Sequence, residues 1–120
     1  MAATLLVAED DVYIRAMIAD FLRDVGYDVV EASNADEAVA VFESGRPVDL
    51  LFSDVKMPGS MDGVELARRV KSRWPNTHIL LTSGYSSALS DAQEQSTEQV
   101  LPKPYRPLSL LAAVLSVVEP

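Results

Sequence analysis

The chain contains no cysteine, so a disulfide framework and a thiolate metal site are both excluded, and a reducing compartment is compatible with the composition. Positive charge is scarce. Ten Lys and Arg stand against eighteen Asp and Glu, a net charge of -8, which argues against a surface that binds a nucleic-acid backbone; direct DNA or RNA binding is not expected. A long hydrophobic run is also missing: the most apolar stretch, Leu108 to Val118, is about half the ~20 residues that a membrane helix needs. The first eleven residues carry Glu9, Asp10 and Asp11 and no basic region, so they do not read as a secretory signal. A soluble, cytoplasmic protein without membrane contact is expected. What is present is a 120-residue chain that is 48% apolar, enough for one real core and too short for a second domain. One domain is expected over residues 1–120.

Short β-branched and leucine-rich runs alternate with helical periodicity. Thr4–Ala8, Tyr27–Glu31, Leu50–Ser53, Ile79–Thr82 and Val100–Leu101 read as strands. Ile14, Met17, Ile18, Phe21, Leu22 and Val25 form one helical stripe, with Gly26 as its stop. Asn34 with Glu37, and Asp62 with Glu65, are capping-box-like starts for two further helices. The stripe of the first of these is Ala35, Ala38, Val39 and Phe42; that of the second is Leu66, Ala67, Val70 and Trp74, closed by Pro75. From Ser86 to Gln99 only a short helix is expected, and Pro107 suits the first turn of a last helix running to about Val118. Strict strand–helix alternation requires parallel strands with long crossovers, and the continuous apolar runs Leu50–Phe52 and Ile79–Leu81 fit strands covered on both faces. The fold expected is a five-stranded doubly wound α/β domain.

Open parallel sheets place their sites at the C-terminal strand ends. There the sequence offers Glu9, Asp10 and Asp11 after the first strand, Asp54 after the third, Thr82 and Ser83 at the fourth, and Lys103-Pro104 after the last. Carboxylates brought together on neighbouring strands repel, and a divalent cation with oxygen ligands relieves that repulsion; Mg²⁺ is the natural candidate. A lysine and a hydroxyl nearby can take the remaining oxygens of a metal-bound phosphate. Each residue also has a plainer reading. Asp11 reads as an N-cap for the first helix, His78 as a surface residue at a strand edge, and Trp74 and Tyr105 as packing residues.

The ordered segments Leu5-Leu6-Val7-Ala8-Glu9-Asp10-Asp11 with Arg15, Ser53-Asp54-Val55-Lys56-Met57-Pro58 with Met61-Asp62-Gly63, Leu81-Thr82-Ser83-Gly84 and Leu101-Pro102-Lys103-Pro104 resemble the receiver domain of bacterial two-component response regulators over essentially the whole chain. The resemblance implies a flavodoxin-like sheet in the order 2-1-3-4-5. It implies Asp54 as phosphoacceptor and metal ligand, Asp10 as a direct Mg²⁺ ligand, Glu9 as a ligand through water and Lys56 as a ligand through its backbone carbonyl. Thr82 and Lys103 would hold the phosphoryl oxygens. A sensor histidine kinase or histidine phosphotransfer protein would be the phosphodonor. The domain would catalyse its own phosphorylation and dephosphorylation rather than act on outside substrates.

Three departures accompany the match. Glu9 stands where aspartate is commoner, Val100 replaces an aromatic that swings inward in many members, and Gly59-Ser60 lengthens a loop by one residue, as in receivers of hybrid kinases. The other readings are a pseudo-receiver that binds without phosphotransfer, a receiver segment of a hybrid histidine kinase, an aspartate-nucleophile phosphatase and a flavin-binding domain. Lys56 occupies the place of the second aspartate that such a phosphatase needs, and acidic residues replace the phosphate-cradling loop of a flavin domain. On the last helix, Leu108, Leu111, Ala112 and Leu115 form a stripe expected to dock on the sheet. Leu110, Ala113, Val114 and Val117 form a second stripe, expected to be exposed and to support a homodimer or kinase docking.

Overall fold

The computed structural model describes residues 2–84 and 99–120. The chain runs β1 (Thr4–Ala8), α1 (Val12–Val25), β2 (Asp28–Ala32), α2 (Ala35–Glu43), β3 (Leu50–Asp54), α3 (Gly63–Arg73), β4 (His78–Ser83), β5 (Gln99–Pro102) and α4 (Pro107–Leu115). All strand pairs are parallel, and the sheet order is β2-β1-β3-β4-β5. Alternate strand residues face opposite ways, which splits the core in two. Leu6, Ala8, Leu51, Ile79 and Leu81 pack with Ala38, Phe42, Leu66 and Val70 of α2 and α3. Leu5, Val7, Leu50, Phe52 and Leu80 pack with Ile18, Leu22, Leu110 and Val114 of α1 and α4.

The caps follow the sequence signals. Asp11 accepts from the backbone N–H of Tyr13 and Ile14, Asn34 from that of Glu37, and Asp62 from that of Glu65. Gly26, at φ +121°, ends α1, donating to the Arg23 carbonyl while Tyr27 donates to that of Leu22. That use of the Tyr27 N–H delays β2 to Asp28, one residue later than the sequence pattern suggests. The helical pattern expected over Ser86–Gln99 lies outside the described residues, apart from Gln99, which opens β5.

On α4 most of the two stripes exchange roles, although Leu111 is half-buried and packs against the core as expected. Leu110 and Val114, expected on the outside, are 1% and 0% exposed, and Ala113 is buried with them. Leu108 is 74% exposed, Leu115 42% and Val117 44%. Val117 therefore stays outside as expected, while Leu110 and Val114 cannot form a dimer face. The cause is the anchoring of the C-terminal segment: the Tyr27 hydroxyl donates to the Val118 carbonyl, and Val118 is itself buried against the same core. This fixes the rotation of the helix, which the nearly uniform apolar sequence left open.

Candidate functional site

Register builds the site. Ala8 pairs with Ser53, Asp54 with Thr82, and Ser83 with Pro102, so Glu9, Asp54 and Lys103 follow one another across a single sheet edge. The core ends abruptly there: Ala8, Ser53 and Leu81 are buried, and one residue further on each strand the side chains are polar. Glu9, Asp10 and Asp54 bring one carboxylate oxygen each to within 4.8 Å of one another. Three hard oxygen donors at that separation suit a divalent cation of the Mg²⁺ or Ca²⁺ type.

The electrostatics agree with the donor chemistry. Glu9 is buried, and burial, then hydrogen bonding with Asp10 and the charge of Asp54, raise its pKa to about 7 against the opposing pull of Lys103 and the Asp11 N–H. Lys103 Nζ lies 2.6 Å from Asp54 Oδ2. Burial alone would lower the lysine's pKa, but the Asp54 hydrogen bond and charge, with Glu9 and Asp10 behind, lift it above its ordinary value. The other oxygen of Asp54 accepts from the Lys56 N–H at 3.1 Å. An open cavity of about 360 Å³ beside the carboxylates is lined by Asp10, Lys56, Met57, Pro58 and Asp62.

Glu9, Asp10, Asp54, Lys103 and the Lys56 backbone thus converge. Thr82 is level with Asp54, but its hydroxyl donates to the Leu101 carbonyl at 2.7 Å. Asp11 serves the helix, and His78 is exposed at the start of β4. Trp74 stacks on Phe42 with ring centroids 4.8 Å apart. It sits at the C-terminal end of the eleven-residue α3, ~16 Å of helix away from the site. Tyr105 packs edge-on to Phe52 at 6.0 Å, and burial, then the charges of Glu9 and Asp54, push its pKa to about 12. Its nearness to the acidic cluster has no signal in the sequence.

Gly63 has a role that residue type alone leaves hidden. A Cβ there would lie 2.0 Å from the Asp54 carbonyl oxygen, so only glycine lets α3 start against the end of β3. Its N–H donates to the Val55 carbonyl. The loop before it turns at Gly59, φ +109°, and Ser60 donates to Asp36 of α2 at 2.8 Å.

Residues 5–115 match the family model described as the response regulator receiver domain. Response regulator protein FleR of Pseudomonas aeruginosa is 34% identical over 95% of this chain, which spans 24% of that protein. The phosphate regulon transcriptional regulatory protein PhoB of the same organism is 34% identical over 96% of the chain, 51% of its own length. The chain thus spans about a quarter to a half of these relatives. Among solved structures, response regulator protein TrrA of Thermotoga maritima, in complex with Mg²⁺-BeF, superposes with a TM-score of 0.85 at 28% identity, covering 97% of this chain and 99% of that one.

Proposed function

The chain belongs to the response regulator receiver domain family, and from that premise we propose that it is a phosphorylation-dependent signalling switch whose acceptor is Asp54. The donor is a sensor histidine kinase or a histidine phosphotransfer protein, the metal is Mg²⁺, and the place of action is the cytoplasm. The observation that carries this reading is the Lys103 ammonium held 2.6 Å from Asp54 at the rim of an acidic trio. A lysine drawn onto a carboxylate in this way stands where the oxygens of a phosphoryl group on that carboxylate would come. Support also comes from TrrA, whose structure carries Mg²⁺-BeF.

Asp10, Asp54 and the Lys56 carbonyl would hold the ion directly and Glu9 through a water; once bound, it would neutralise charge on the phosphoryl oxygens. Lys56 N–H keeps one Asp54 oxygen oriented, leaving the other to attack phosphorus in line. The P–N bond of the donor phosphohistidine breaks, its electron pair stays on the ring nitrogen, and an acyl phosphate forms on Asp54. Lys103 transfers its contact from the carboxylate to a phosphoryl oxygen. The Thr82 hydroxyl must release the Leu101 carbonyl of β5 to do the same, and that release carries the change to β5 and its surroundings. Attack of water on the acyl phosphate resets the domain.

The test is intact mass after incubation with a small phosphodonor and Mg²⁺. The chain is expected to gain one phosphoryl group, Asp54→Asn none, and chelator is expected to prevent the gain. An undiminished gain in the variant or in chelator removes the assignment.

A further inference from the structure

Arg15, in the first turn of α1, is 16% exposed, and its guanidinium faces two ways. Nη1 donates to the backbone carbonyl of Glu9 at 2.9 Å. Nε lies 3.4 Å from Oε1 of Glu31 on β2. The second oxygen of Glu31 accepts from Arg23 Nη2 at 3.1 Å, and Arg23 also donates to the Val29 carbonyl and to Asp20. One β2 carboxylate is therefore shared by two arginines of α1, and this chain of contacts ends on a particular peptide unit. The Glu9 carbonyl belongs to the bond joining Glu9 to Asp10, so the arginine grips the link between two of the three clustered carboxylates.

We propose that Arg15 is a positioning residue for the metal: by pinning the Glu9–Asp10 peptide to α1 and β2 it sets the directions of both carboxylates, while Glu31 keeps the guanidinium in place. This rests on reading the acidic trio as a Mg²⁺ site. Groups that orient metal ligands from behind contribute ~10- to 100-fold to metal affinity. A planar fork can serve the carbonyl and the carboxylate at once, which a lysine ammonium at the same position cannot do with the same geometry.

The opposite role predicts the opposite sign. Were Arg15 only a positive charge near the site, it would oppose the cation, and its removal would tighten binding. Mg²⁺ affinity is measured by calorimetry and by amide chemical-shift titration on the unsubstituted chain, Arg15→Met, Arg15→Lys and Glu31→Gln, with folding checked by Trp74 emission. Arg15→Met keeps the apolar stem and is expected to bind Mg²⁺ ~10-fold more weakly. Arg15→Lys, with its charge intact, is expected to weaken binding several-fold, and Glu31→Gln less than Arg15→Met. Should Arg15→Met fail to fold, Arg15→Lys decides. Affinity equal to or tighter than that of the unsubstituted chain in the folded arginine variants overturns the positioning role. No Mg²⁺ binding by the unsubstituted chain overturns the site reading itself, and the proposal with it.

Discussion

At Glu9 the protein holds a carboxyl group that is costly to ionise. Its ordinary value is 4.5, and burial with the neighbouring Asp10 and Asp54 raises it to about 7. The sign of the consequence follows from proton counting. Below about pH 4.5 the residue is protonated in both folded and unfolded chains; between there and about 7 the unfolded chain has lost a proton that the folded one retains, so rising pH favours unfolding. Above that window the effect is complete, on the order of 3 kcal/mol at most. Metal-free protein is therefore expected to lose stability from about pH 5 to about pH 8 in urea denaturation, with much of the loss absent in Glu9→Gln. The variant is also expected to be the more stable protein at the alkaline end. An equal pH slope in both proteins would assign the loss to other groups. On the proposed reading, Mg²⁺ binding would require the ionised carboxylate and would couple to the same proton.

Among the elements, α4 shows how far a pattern can go. Both of its stripes obey helical spacing, and with no charged residue between Leu108 and Val118 the pattern cannot say which side faces in. Tertiary contacts decide, through Tyr27 and Val118. Leu110→Glu buries an unpaired charge and is expected to cost at least ~3 kcal/mol, whereas Leu115→Glu, at 42% exposure, is expected to stay within about 1 kcal/mol. Urea midpoints of the two variants check this, and a reversed order would turn the helix over. The junction of β3 and α3 is equally exacting. Gly63→Ala places a methyl group against the Asp54 carbonyl and is expected to cost ~1–3 kcal/mol. It is also expected to slow phosphorylation by moving the acceptor; an unchanged urea midpoint and rate would show that the junction yields freely.

Over the whole molecule, what could be read from the sequence was what residues declare by type and period. Alternating strand and helix patterns implied a parallel sheet, and acidic residues at its strand ends implied a metal-binding edge; Glu9, Asp10, Asp54 and Lys103 do meet there. What could not be read depended on three-dimensional proximity. The Arg15 grip on the Glu9 carbonyl and the Gly63 approach to Asp54 involve backbone atoms, which every residue possesses and no residue advertises. The Thr82 hydroxyl turned toward β5 is a choice of rotamer. The arrangement also separates the chain's lone indole from the chemistry, because Trp74 stacks on Phe42 at the end of α3 remote from the carboxylates. In spectroscopic terms the proposed function gives the protein two independent channels: indole emission is expected to follow unfolding with little interference from ion or phosphate, while resonances of the β1, β3 and β5 strand ends are expected to follow occupancy. A substitution that silences the second channel and leaves the first intact has damaged the site without damaging the fold.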